Sequence, residues 1–264
     1  MMSKKHRLYL LIALLAAGIA VVLMLDPIPQ PAEYHLFADK RAIFGVPNFN
    51  DVFSNAGFLF VGVFALAVIF RHYARLFRRS EDGRPYLVFF VAVALIAFGS
   101  GYYHLDPTNE SLLWDRLPMS MAFMAISAAV VADRINARAG NGWLLVVLLI
   151  TGFASLIYWD WSESVGRGDL RFYGLVQFYP MVALPLVIWL FRDHHYVLGR
   201  YLIWVIAWYG LSKVLEHFDH EIFELTGNLI SGHSLKHMAA AVATWVAFRM
   251  LCAVGERPGA SESS

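Results

Sequence analysis

The sequence predicts an all-α polytopic membrane protein, and three observations carry that reading. Of its 264 residues, 59% are hydrophobic and only 16% are charged, against about 25% charged in a soluble domain. The few charges gather between apolar runs of about 20 residues, the length at which a helix rising 1.5 Å per residue crosses a bilayer. Basic and acidic residues also fall on opposite ends of these runs. A soluble two-domain chain would have to bury several consecutive, nearly chargeless stretches of that length, so that class is set aside.

Eight spans are read along the chain. The first, Leu8–Leu25, follows Lys4, Lys5 and Arg7 and stops at Asp26-Pro27. A basic start also suits a signal peptide, but the apolar run continues past the small residues Ala16-Ala17-Gly18, so an uncleaved helix is preferred. Val52–Phe70, Tyr86–His104, Leu117–Ala132, Trp143–Trp159, Phe172–Phe191, Val197–Leu215 and Ser234–Met250 follow. Pro180 and Pro185 lie inside the sixth span, where neighbours can satisfy the carbonyls they free. The last two spans each carry a charge near one end. Lysine tolerates that position because its stem lies along apolar surface while its ammonium reaches the interface. The domain reading is a basic segment and first helix over 1–30, a helical core over 31–252 and a polar tail over 253–264.

An even number of spans puts both termini on one face. That face receives 14 of the 21 Lys and Arg residues and the opposite face 7, while the acidic residues divide 6 to 14. Short Lys/Arg-rich loops stay in the cytoplasm, so the termini are read as cytoplasmic and the opposite face as periplasmic, exterior or lumenal. A bacterial inner membrane is the expected location. The single cysteine, Cys252, excludes an intrachain disulfide and a thiolate metal cluster.

The extracytoplasmic face holds the chemistry. Six of ten histidines lie there: His35, His104, His217, His220, His233 and His237. Singly, such histidines are read as satisfied by water or a neighbour. His233 and His237 differ, because a spacing of four stacks both imidazoles on one helical face. His104 ends the third span at the same level as the start of the last. Three imidazoles with an open fourth position form the catalytic zinc pattern. Asp115 opens the fourth span at that level, as a helix cap or as a base that takes a proton from a metal-activated water. Ser100 lies one turn before His104, as packing glue or as a donor to a developing oxyanion. A second polar cluster, with Asp39, Asn48, Asp51 and Ser54, supplies oxygen ligands of the kind calcium takes, without the spacing of an EF-hand loop; from composition alone, Asp51 or Ser54 as an ordinary helix cap is the preferred reading. Trp114, Trp159, Trp161 and Tyr173 at span ends are read as interfacial anchors.

The joint pattern, Ser100-x-x-x-His104, Asp115-Arg-Leu-Pro-Met119 and His233-x-x-x-His237, resembles the superfamily of alkaline ceramidases, adiponectin and progestin receptors and GPI-remodelling hydrolases. It is most similar to the alkaline ceramidase branch, whose opening core helix Phe49-Asn-Asp-Val-Phe-Ser-Asn55 also resembles; Arg116 stands where that branch often has an acidic residue. The resemblance implies a seven-transmembrane-helix ceramidase-like bundle plus one additional N-terminal transmembrane helix. It implies Zn2+ on His104, His233 and His237, with Asp115 and Ser100 as catalytic residues, and Ca2+ near Asp39, Asn48 and Asp51, although Asn48 stands where the family's calcium motif has glutamate. The expected activity is hydrolysis of the amide of a ceramide-like membrane lipid, with an acyl-ester lipid, a zinc-bearing lipid receptor or a transporter as alternatives. No P-loop, H-E-x-x-H, G-x-S-x-G or dinucleotide fingerprint is present, and no basic block points to nucleic acid. The oligomeric state is left open.

Overall fold

The computed structural model describes residues 2–255; the tail read over 253–264 begins within the last helix, Gly232–Gly255, and its residues 256–264 lie outside the described ones. The described chain is helical throughout its regular structure. Lys4–Met24 (α1) is followed by Phe49–Ser54 (α2), Ala56–Arg71 (α3), Tyr73–Leu76 (α4), Arg84–Leu105 (α5), Asn109–Arg134 (α6) and Ala137–Gly140 (α7). Trp143–Ser164 (α8), Arg171–Leu190 (α9), Gly199–His217 (α10), Asp219–Leu225 (α11) and Gly232–Gly255 (α12) complete it. Among the described residues, seven helices are long and apolar enough to cross a membrane, α1 being the first of them and α2–α3 counting as one.

The expected eight spans therefore become seven by length and composition, and the helix that drops out is α10. Its 19 residues include Arg200, Lys213 and Glu216, which dilute its apolar character. Its ends nevertheless match those of its neighbours. The Arg134 guanidinium at the end of α6 donates to the carbonyls of Phe191 (2.6 Å) and Val197 (2.5 Å), just before α10 starts. Near the other end of α10, Glu216 accepts from Lys236 in the first turns of α12. Helix α10 thus runs the height of the bundle alongside α12.

The inner surfaces of α3, α5, α6, α9, α10 and α12 pack Ile69, Phe90, Val93, Val130, Met250 and Leu251 into one apolar core. Many aliphatic and aromatic side chains on the outer faces remain exposed, as lipid-facing surfaces require. Helix α1 buries no residue and lies on the outside against α9, with Arg7 donating to the Leu190 carbonyl at 2.6 Å.

The basic end of the bundle is tied by polar bonds. Asp133 accepts from the backbone amides of His195, Tyr196 and Val197 at 2.8–3.0 Å. Asp82 accepts from Arg79, Asn141 and Tyr196. Charge-assisted bonds to groups that lack other partners are worth about 1.5–3 kcal/mol each, so Arg134→Ala, which strands two carbonyls, is expected to cost about 3 kcal/mol. Thermal or denaturant unfolding in detergent checks this, with metal stoichiometry at the distant histidines unchanged in the folded fraction.

Candidate metal centre

Helices α5 and α6 form an antiparallel pair whose connection lies at the histidine end. They approach so closely that a Cβ on Gly99 would come within 2.2 Å of the Trp114 carbonyl oxygen. The entry to α12 is tight in the same way, since a Cβ on Gly232 would lie 2.2 Å from the Leu215 carbonyl oxygen and 2.8 Å from the Asp219 Cα. Glycine is required at both positions for steric reasons; Gly232 adjoins His233, and Gly99 adjoins Ser100, one turn before His104.

His104, His233 and His237 are buried, and each offers a ring nitrogen within 4.8 Å of the others. Their ring centroids form a nearly equilateral triangle with sides of 4.8, 5.0 and 5.0 Å. Among the described residues this is the one group of three or more His, Cys, Asp or Glu side chains whose ligand atoms converge. His104 Nδ1 and His233 Nε2 are buried without a hydrogen-bond partner. Leaving such atoms unsatisfied costs about 1–3 kcal/mol each, and a metal ion among the three rings satisfies them. His237 Nδ1 pairs with Ser54 Oγ at 2.8 Å, which leaves Nε2 as its free donor. The donor set therefore fits a metal that accepts imidazole ligands.

The surroundings hold the rings in place. The Phe37 ring packs 4.6 Å from His104 and 4.5 Å from His233, centroid to centroid. Asp219 accepts from the His233 amide (2.7 Å) and the Ala38 amide (2.9 Å), fastening the Phe37 loop to the start of α12. Asp51 on α2 accepts from Ser234 Oγ (2.6 Å) and Ser231 Oγ (3.2 Å). Asp219 and the Ser54–His237 contact carry no periodic signal, and sequence reading missed both. Asp219 was legible only as one acid in a polar loop.

Asp115 and Ser100 are buried, and both line one elongated cavity of about 370 Å³ that His237 also borders. Lys213, Glu216, Lys236, Arg116 and Tyr34 complete its polar end, while Phe89, Ile96, Met119, Ile126 and Leu202 line the remainder. Glu216 accepts from Lys236 (2.5 Å), Lys213 (2.6 Å) and Tyr34 (3.1 Å).

The proposed calcium ligands have other partners. Asp39 is bound by Arg41, with 2.6 Å in the shorter contact, and by the Asn50 amide at 2.8 Å. Asn48 donates to the His104 carbonyl at 2.8 Å from a left-handed backbone conformation (φ 46°). Asp51 ties α2 to α12 by accepting from the two serines at Oδ1, while its Oδ2 is buried without a hydrogen-bond partner. A calcium shell from these three has no support in this arrangement. The interfacial-anchor reading divides: Trp114 and Trp161 are exposed, whereas Trp159 and Tyr173 are buried. His35 is satisfied by Tyr103 (2.9 Å) and Asn109 (3.0 Å), as read.

No family model matches the chain, and no curated protein matches it. The fold and site define a polytopic all-α membrane protein with a buried three-histidine metal-binding triad, consistent with the superfamily of seven-helix membrane hydrolases and receptors.

Two outcomes follow from these contacts. Hydrogen bonds to the second nitrogen of a ligating histidine typically tune metal affinity by 10–100-fold, so Ser54→Ala is expected to weaken metal retention by about that factor in chelator competition. In the Asp39 loop, burial pushes the carboxyl pKa up, but the Arg41 guanidinium and Asn50 amide more than offset this and hold it below the usual carboxylate range. Its stabilisation is therefore complete above the unfolded value of about 3.9 and lost as pH falls through the lower folded value. Limited proteolysis of residues 38–48 should stay flat from about pH 7 to 5 and rise only below about pH 4, while Asp39→Asn raises it at every pH.

Proposed function

We propose that the chain is a zinc-dependent intramembrane hydrolase that cleaves the amide bond of ceramide-like lipids, releasing a fatty acid and a sphingoid-type base. The observation that carries this reading is the shared cavity: a histidine of the triad and the buried Asp115 border a mostly apolar space. His104, His233 and His237 would hold the ion. When bound, zinc at such a site acts as a Lewis acid on a carbonyl and lowers the pKa of a water to about 7.

The chain's own residues supply positioning and proton transfer. The apolar part of the cavity takes the acyl chain and brings the amide carbonyl to the histidine end. Asp115 accepts the proton from the attacking water and delivers it to the leaving nitrogen. The water oxygen bonds to the carbonyl carbon as the C–N bond breaks. Ser100, beside Asp115, donates to the oxygen on which negative charge develops. Burial keeps bulk water from competing for these bonds.

The localisation proposed with this activity is a bacterial inner membrane. Helix α10 then counts as an eighth crossing, on the strength of its matched ends. Both termini lie in the cytoplasm with the metal site toward the periplasm, in keeping with the basic residues at the opposite end. Residues 31–252 form the hydrolase core and α1 is the additional helix.

Lipid mass spectrometry with purified protein tests the reaction. His233→Ala is expected to lose both metal and turnover. Asp115→Asn should keep full metal occupancy while kcat falls by about 10²–10⁴, the range of a lost general base. Equal lipid turnover by wild type and His233→Ala would sink the mechanism.

A further inference from the structure

Arg116 is a buried cation, 7% exposed, that forms no ion pair at contact distance among the described residues, although its charge acts on the neighbouring Asp115 carboxyl. One of its nitrogens, Nη2, donates to the Gln30 side-chain oxygen at 2.7 Å; another, Nη1, is buried with no partner. Three aromatic rings surround the guanidinium carbon, with centroids at 4.5 Å (Trp159), 4.9 Å (Tyr173) and 5.5 Å (Tyr34).

Cation–π contacts offset part of the cost of desolvating an arginine, but an unpaired N–H in a buried site remains expensive. Arg116 also follows Asp115 in the chain and borders the same cavity. Counting the charged side chains at that cavity's polar end gives three cations, Arg116, Lys213 and Lys236, against two anions, Asp115 and Glu216. Both lysines are spent on Glu216. Of the three, Arg116 is the one with a buried nitrogen that has no hydrogen-bond partner.

We propose that Arg116 binds an acid group carried by the leaving portion of the lipid, so that the preferred substrate is an N-acyl lipid with an anionic rather than a neutral head. This rests on the amide-hydrolase reading and specifies its substrate class. With the acyl chain in the apolar shaft and the carbonyl at the histidine end, the remaining part of the molecule lies at the polar end, where Arg116 waits. A planar guanidinium forks onto a carboxylate or phosphate with two parallel bonds, and the cage of rings excludes the water that would weaken them. The acid could sit on the head or be the carboxylate of a free fatty acid, and the experiment separates the two.

The test uses the full-length protein in nanodiscs with two matched pairs, ceramide against ceramide 1-phosphate and N-oleoylethanolamine against N-oleoylglycine, plus oleate. Binding is measured with the His233→Ala variant and turnover with the wild type. The acidic member of a pair is expected to bind, and to be cleaved, at least about 10-fold better, a difference of about 1.4 kcal/mol. In Arg116→Gln that acid-to-neutral ratio should collapse toward one, while Arg116→Lys retains part of it. The wild-type comparison decides even where a variant does not fold. Equal handling of acidic and neutral lipids by the wild type overturns the proposal and leaves the hydrolase reading standing. Selective binding of the acidic lipids without cleavage supports the Arg116 site and defeats the hydrolase reading. Oleate binding as tightly as N-oleoylglycine, with the same dependence on Arg116, assigns the acid to the acyl chain and overturns the assignment to the leaving portion.

Discussion

The burial of three imidazoles against one another governs this end of the molecule. Two of their nitrogens have no hydrogen-bond partner, and in a low-dielectric interior such atoms are tolerated only if something else satisfies them. Meeting that demand requires the end of α5 and the start of α12 to lie at one level, about 130 residues apart in sequence. The close backbone approaches at Gly99 and Gly232 are the steric consequence at this end of the bundle. The carboxylates of Asp51 and Asp219 then act as fasteners, one holding α2 and the other the Phe37 loop to the first turn of α12. The bonds from Ser234 and from the His233 amide are buried, so water does not compete for them, and they hold the first turn of α12 in place.

How much of this the sequence discloses depends on the range of the interaction. His233 and His237 are legible because a helix repeats every 3.6 residues and places them on one face. His104 is legible because the order of apolar runs counts levels. Helix α10 is harder to read for an instructive reason. Lys213 and Glu216 lower its apolar character, yet in the fold they pair with each other and with Lys236 across to α12. A composition measure counts charges and does not see which are neutralised. Trp159 and Tyr173 mislead in the opposite direction, since aromatic residues near span ends usually sit in the interface, and here they turn inward onto a guanidinium. The cage joins residues from four separate segments, which no local pattern anticipates.

The oxygen-rich stretch before α2 shows the same limit. Asp39, Asn48 and Asp51 resemble a cation shell when read as a list, because their side chains are the right chemical type at short spacing. Folding distributes them. Arg41 takes Asp39, the His104 carbonyl takes Asn48, and the serines of α12 take Asp51. The contacts of Asn48 and Asp51 reach the His104 carbonyl and the first turn of α12, so part of the segment's polarity supports the triad. The bond from Asn48 is the most direct of these, as it satisfies the carbonyl of a metal-ligand residue at the frayed end of α5, where no helical donor is available.

The two ends of the cavity differ in kind. One end is a shaft of aliphatic and aromatic side chains that gives no directional cue beyond exclusion of water. The other concentrates five charged groups beside the triad. A lipid entering such a space has only one low-energy orientation, tail in the shaft and polar atoms at the charged end, because the reverse would strand polar groups among apolar ones at a cost of several kcal/mol. Orientation therefore comes before chemistry, and the same burial that makes the imidazoles demand an ion makes the unpaired guanidinium of Arg116 demand an anion. Both needs arise at one end of the bundle, where His237 of the triad and Arg116 border one cavity.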